Sequence, residues 1–293
     1  DGLGAEKASE VSQALLQRAP VTLRVDPTRA DRGALIEKLR AAGSSAHATA
    51  VAPLGITLDV PRDLRGWPEL EDARLEVQDE GSQLLGLAVG ARPGDVVLDA
   101  CAGAGGKTLH LWSQMEGRGE LVAVEPDAKK REVLKKRLQG AGASGVQVVA
   151  GHLEEVSGEW RDRFDRILID APCTGTGTLR RHPDLKWRIQ ESSLAHEVGR
   201  QTRLLGAGVP LLKPAGRMVY GTCSVLVEEN EAVIETFARA AEGLDPSPLE
   251  RGWGADVDRG LEARGRATAR IGPGADGQGP DGFFVAAFEK RGE

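Results

Sequence analysis

A chain of 293 residues that is 40% hydrophobic, 28% charged and 4% aromatic has the make-up of a soluble globular protein with one large or two ordinary domains. It contains no run of about 18 apolar residues to span a membrane, residues 1–20 lack the basic-then-apolar pattern of a signal peptide, and Cys101, Cys173 and Cys223 are too widely spaced for a disulfide framework or a CxxC zinc site. A net charge of -6 excludes a broadly basic surface and confines any nucleic-acid contact to a local patch. A reducing cytoplasm, no metal and a monomeric state are the expectations, and a start at Asp1 rather than Met leads us to expect an upstream segment.

Val11, Leu15 and Leu16 suit a short amphipathic helix before Pro20. Val21 to Val25 alternates as a strand. Arg32 to Ala42 reads as a helix with Leu35, Ile36 and Leu39 on one face, stopped by Gly43, and 45–52 and 56–60 are further strands. The polar, Pro-containing stretch 61–72 ends this β-α-β-β pattern and puts a boundary near residue 75, giving domains 1–75 and 76–293.

From Asp95 strands and helices alternate, the pattern of an α/β fold with a parallel, doubly wound sheet. Strands are expected at 96–98, 121–124, 146–149, 164–170 and 216–222, and helices at 127–138 (Asp127 as N-cap), about 192–212 and 228–241. Residues 242–282, rich in Gly, Pro and Arg, read as an irregular insertion, and 283–288 as a closing strand.

The first of these strands runs into Asp99-Ala100-Cys101-Ala102-Gly103-Ala104-Gly105-Gly106-Lys107-Thr108. Glycines there let a backbone approach a ligand and offer free N–H groups at a helix N-terminus. A phosphate-binding P-loop needs a glycine where Cys101 stands, and a dinucleotide fingerprint needs one at Thr108. The remaining reading is S-adenosylmethionine, whose aminoacyl end meets the loop. Glu125 ends the second strand where an acid can accept both ribose hydroxyls, with a helix-capping Glu as the competing reading. Asp99 could orient the loop or meet the cofactor amine.

The apolar run Ile167-Leu168-Ile169 ends in Asp170, followed by Ala171-Pro172-Cys173 and the small residues Thr174 to Thr178. Ligands in open α/β sheets bind beyond the carboxyl ends of strands, so this acid and thiol stand where chemistry happens. Taken alone, the segment is equally well explained by a loop-capping acid and a cysteine filling an apolar gap. A second thiol shifts the balance: Gly221-Thr222-Cys223-Ser224 ends the next strand in the usual doubly wound order. Carbon 5 of cytosine is a poor nucleophile until a thiolate adds to carbon 6, and two thiols with a carboxylate suit that chemistry.

Asp170-Ala171-Pro172-Cys173-Thr174-Gly175-Thr176-Gly177 with Arg180-Arg181-His182-Pro183-Asp184, Thr222-Cys223-Ser224 with Glu229-Asn230-Glu231, Val77 to Gln83 and Asp281 to Val285 together resemble the Nop/Sun (Fmu-like) RNA cytosine-5 methyltransferases over nearly the whole chain. The resemblance implies a Rossmann-like S-adenosylmethionine methyltransferase domain behind a small α+β, RRM-like, RNA-binding module at 21–75. It implies ribosomal RNA as the favoured substrate, Cys223 as nucleophile, Asp170 on the cytosine and Cys173 in product release. It implies Lys107 near base or cofactor, and a cofactor site over Cys101 to Lys107, Glu125 and Asp170. Gly103 and Ala104 stand where the family usually has Ala and Pro. His152 stands at the family's adenine-contacting acid, with a surface histidine as the competing reading.

Arg180, Arg181, Lys186 and Arg188 are the candidate RNA contacts, while Trp187 is expected to pack inward. Lys129, Lys130, Arg131, Lys135, Lys136 and Arg137 read as an ordinary solvated face. Two further readings stay open: a catalytically silent RNA-binding or assembly factor, and a transfer-RNA or DNA cytosine methyltransferase, the latter with Cys173 as nucleophile.

Overall fold

The computed structural model describes residues 5–59, 63–253, 266–274 and 276–292; the expected strand residue Val60 and part of the 242–282 stretch lie outside them. A helix, Ala5–Ala14, precedes an antiparallel sheet built from β1 (Val21–Val25), β2 (Ala46–Ala48), β3 (Gly55–Leu58) and β4 (Leu75–Val77) in the order β2-β3-β1-β4. The helix Arg32–Ala41, capped by Asp31 accepting from the Ala34 N–H at 2.7 Å, lays Leu35, Ile36 and Leu39 on it. Leu23, Val25, Leu39, Ile56, Leu58 and Leu75 form its core. β4 straddles the residue at which the boundary was expected, and its three residues are too short to show alternation.

A helix missed in the sequence, Glu80–Ala88, follows, with Asp79 as its cap. Gly81 and Gly86 lower its propensity, and burial against the second sheet outweighs that. That sheet holds β5 (Val96–Asp99), β6 (Glu120–Glu125), β7 (Val146–Ala150), β8 (Phe164–Asp170), β9 (Leu212–Thr222), β10 (Leu244–Pro246), β11 (Thr268–Ile271) and β12 (Phe283–Lys290). Its order is β10-β12-β9-β8-β5-β6-β7 with β11 beside β12; β5 to β9 are parallel and β12 runs antiparallel on β9. The stretch expected to be irregular thus contributes two edge strands. Ile167, Leu168 and Ile169 are fully buried, as β-branched and leucine residues covered on both faces should be.

The helix expected at about 192–212 spans Glu191–Gly208, because Pro210 has no N–H to continue it. β9 starts at Leu212, before Pro214, and a register shift against β8 accommodates the proline in the strand. Between β5 and β8 the strand order reverses, so a crevice opens past their carboxyl ends. Asp99 and Asp170 end those two strands, and Cys223 follows β9. Ser113 donates to Asp26 at 2.7 Å and Gln83 to the Leu23 carbonyl at 3.2 Å, which seats the small sheet against the large one.

Candidate active site

The glycine loop joins β5 to the helix Gly106–Gln114. Gly105, at φ +90°, takes a left-handed turn, and a Cβ there would meet Leu134 at 2.4 Å, so only glycine fits. Asp99 accepts from the Thr108 hydroxyl at 2.7 Å, while its Oδ1 is buried without a partner. Burial raises the Asp99 carboxyl from 3.8 to about 6. Glu125 accepts from the Gly103 N–H and the Asp127 N–H, both at 2.8 Å, and so ties the loop to β6. Burial, with the Asp99 and Asp170 charges, pushes the Cys101 thiol far up, so it stays a neutral thiol. Arg137 reaches back to the Ala104 carbonyl at 2.7 Å and to Glu76, and Arg131 donates to the Glu125 carbonyl at 2.9 Å. Arg137 braces the loop and Arg131 the end of β6, so neither belongs to a solvated face, a correction to the sequence reading. His152 is exposed after β7 and does not line the cavity described below.

The two thiols meet. Cys173 Sγ lies 3.4 Å from Cys223 Sγ, and Lys107 Nζ lies 2.7 Å from Asp170 Oδ2 in the same crevice. The hydrogen bond shared with Cys223, then burial, raise the Cys173 thiol well above its usual range. Burial works to lower the Lys107 ammonium, but Asp170 outweighs it and the net shift is upward. The loop carrying Cys173 is fixed from below by Glu229, fully buried, which accepts from the Thr174 N–H at 2.8 Å and its hydroxyl at 2.5 Å; Gln201 donates to Glu229 at 3.1 Å and to the Pro172 carbonyl at 3.0 Å. Asn230 donates to the Ser224 carbonyl at 2.9 Å and accepts from Thr222 at 2.6 Å, fixing the Cys223 turn. The two loops interlock where Gly177 donates to the Cys223 carbonyl at 2.9 Å. A Cβ on Gly177 would stand 1.9 Å from the Gly282 carbonyl, so a side chain there would force the loops apart.

A cavity of about 480 Å³ runs from this crevice to the small sheet. Cys101 to Ala104, Gly106, Lys107, Asp170 and Cys223 form one wall, and Thr22, Val77 and Gln78 another. Asp79, Arg181 and Asp281 close it. Arg181 donates to Asp281 at 2.5 Å and to Asp79 at 2.9 Å, and burial and then Asp281 raise Asp79 to about 6. Asp79 and Asp281 belonged to the motifs read in the sequence but drew no role there, because Arg181, which they hold, lies 102 and 100 residues away in the chain.

Two expectations fail here. Arg180 has a fully buried side chain bound to Asp281, the Gly277 carbonyl at 2.8 Å and the Gly279 carbonyl at 2.6 Å, so it cannot take a phosphate. Trp187 does not pack inward, and is 81% exposed. Lys186 and Arg188 are exposed beside it. Among the described residues, no group of three or more His, Cys, Asp or Glu could hold a metal ion, and no helix is long and apolar enough to cross a membrane.

A switch-point crevice with a glycine loop and an acid-ended second strand is the architecture of a Rossmann-like methyltransferase. The family model for 16S rRNA methyltransferase RsmB/F matches residues 87–289, and that for the RsmF/B-like ferredoxin-like domain matches 3–65. The chain belongs to this family, as the sequence motifs implied. It is 35% identical over 272 residues to ribosomal RNA small subunit methyltransferase B of Pseudomonas syringae pv. tomato, covering 92% of this chain and 59% of that protein. The Salmonella paratyphi B protein of the same name is 35% identical, with 94% and 61% covered. The chain therefore spans about three-fifths of these relatives. A methyltransferase homologue from Pyrococcus horikoshii superposes with TM-score 0.79 at 26% identity, covering 98% of this chain and 92% of that one. NSun6 from the same organism, solved with SFG, shares the fold at TM-score 0.84 and 18% identity, with 99% and 96% covered.

Proposed function

We propose that the protein transfers the methyl group of S-adenosylmethionine to carbon 5 of a cytosine in ribosomal RNA through a covalent cysteine adduct, with residues 1–75 as an RNA-binding module. The observation that carries this reading is the 3.4 Å approach of Cys173 to Cys223, which lines one cavity together with the Lys107–Asp170 pair and the glycine loop.

S-adenosylmethionine suits the loop on two counts. A Cβ on Gly103 would meet nothing within 4 Å, which leaves room at the loop mouth, and Asp99 keeps a buried, unpartnered oxygen beneath it. Ala102 to Gly106 would hold the aminoacyl end and Glu125 the ribose. The cofactor supplies an electrophilic methyl group.

Cys223 adds to carbon 6 as the thiolate, and the electron pair displaced from the 5,6 double bond makes carbon 5 the nucleophile. Asp170, held by Lys107, takes the amine and ring-nitrogen edge of the cytosine and steadies the adduct. Cys173 stays protonated during this step because it shares a hydrogen bond with Cys223. Once Cys223 is bonded to carbon 6, that hydrogen bond and charge are gone, and the Cys173 proton becomes easier to lose. Solvent takes the Cys173 proton; once carbon 5 carries the methyl group, the freed thiolate lifts the carbon 5 proton, the 5,6 double bond re-forms and Cys223 leaves as the thiolate. Lys107 supplies positive charge beside both carboxylate and thiols.

Bisulfite sequencing of 16S rRNA incubated with protein and S-adenosylmethionine tests the reading. One or a few protected cytosines are expected, and complete conversion in the presence of tightly bound cofactor and RNA would favour the silent assembly factor.

A further inference from the structure

Four of the five tryptophans are buried or half-buried, and Trp253 donates its indole N–H to the Leu84 carbonyl at 2.8 Å. Trp187 is the exception, although an indole is among the costliest side chains to leave in water. It stands on the one-turn helix Leu185–Arg188 between two cations. Lys186 Nζ lies 5.2 Å from the indole ring centre, and Arg188 pairs with Asp184 at 3.0 Å in an exposed contact that a phosphate can replace at little cost.

The position is tied to the chemistry. His182 donates to the Thr178 carbonyl and Leu185 to the His182 carbonyl, each at 3.0 Å, so the helix continues the turns of the Cys173 loop. A Cβ on Gly175, two residues past Cys173, would lie 3.4 Å from Leu185. Burial of Arg180 anchors the same segment from beneath. The indole is thus carried by a braced turn that continues the Cys173 loop.

A cytosine can reach thiols in a crevice only after leaving its stack, and its departure uncovers the face of a neighbouring base. We propose that Trp187 stacks on that neighbouring base of a single-stranded RNA segment, while Lys186 and Arg188 take the adjacent phosphates. The proposal rests on the RNA methyltransferase reading. The flanking cations favour nucleic acid over an apolar protein surface, and stacking tolerates any base, so the platform contributes affinity and positioning rather than sequence choice.

The test measures binding of deproteinised 16S rRNA and of a fluorescein-labelled, cytosine-containing single-stranded RNA by wild type, Trp187→Ala and Trp187→Phe, with S-adenosylmethionine affinity alongside. Trp187→Ala is expected to weaken RNA about 10- to 100-fold, Trp187→Phe to retain most of the affinity, and cofactor affinity to hold in both. Equal RNA affinity in wild type and Trp187→Ala overturns the platform, as does an equal loss in both variants or a matching loss of cofactor binding. A defect confined to assembled small subunits, with naked RNA bound normally, also overturns it and assigns the indole to a protein contact. Wild-type protein that binds RNA through Trp187 without methylating it sinks only the methyltransferase reading, and failure to bind RNA at all sinks both.

Discussion

The sulfur atoms of Cys173 and Cys223 lie 3.4 Å apart although 50 residues separate them in the chain. Parallel pairing of β8 with β9, which puts Asp170 opposite Gly221, brings their loops together. Buried Glu229 and Asn230, adjacent in sequence, each fix one of the two loops. The proximity is therefore built into the sheet and does not wait for substrate.

Removing each thiol should separate their roles. Cys223→Ala should abolish methylation and form no adduct, since carbon 6 then lacks its nucleophile. Cys173→Ala should attack and methylate but stall at release, accumulating a protein–RNA species that survives a denaturing gel. An adduct with Cys223→Ala and none with Cys173→Ala would exchange the roles.

Lys107 and Asp170 should act as a unit. Asp170→Asn and Lys107→Ala are each expected to slow single-turnover methylation by about 100-fold or more. The double variant should be little slower than either, because each single change already leaves the other group without its partner. Additive losses would mean that the two work separately.

Glu125→Ala should weaken S-adenosylmethionine by about 1–3 kcal/mol in calorimetry. Part of that loss is indirect, since Glu125 also accepts from the Gly103 N–H. Equal cofactor affinity in wild type and variant would remove Glu125 from the site.

Asp99 gives a stability prediction with a definite sign. Its carboxyl, raised from 3.8 to about 6 in the folded state, contributes stability that is complete below pH 3.8 and lost as pH rises through about 6. Asp99→Asn keeps an acceptor for Thr108 without the charge. Its stability relative to wild type should therefore grow by about 2 kcal/mol between pH 4 and pH 7, measured by urea unfolding of the cofactor-free protein. A pH-independent difference would show that Asp99 titrates normally.

Gly177→Ala should cost about 1–3 kcal/mol, since its Cβ would be driven into the Gly282 carbonyl. A lowered urea midpoint with cofactor affinity intact is the expected signature.

Much of this was legible in the chain. The exact span of β8 and the Asp127 cap follow from apolar runs and capping chemistry, which are local. β4 was missed because its three residues belong to a sheet only through β1, a long-range partner. The RNA-contact reading of Arg180 failed because a sequence shows an arginine's charge but not Asp281, 101 residues away, that consumes it. Trp187 failed in the opposite direction: an apolar side chain suggests burial, and only the turn that buries Arg180 decides which residue faces out.

The last strand, β12, has a consequence for synthesis. It completes the sheet on β9, and the residues just ahead of it, Asp281 and Gly282, hold the arginines and the Gly177 loop while Phe283 lines the cavity. A chain still emerging from the ribosome, with residues 281–290 in the exit tunnel, has both thiols outside but lacks the Asp281 contacts to the arginines and the Gly282 contact to the Gly177 loop. Closure of the crevice therefore waits until synthesis has carried residue 290 clear of the ribosome.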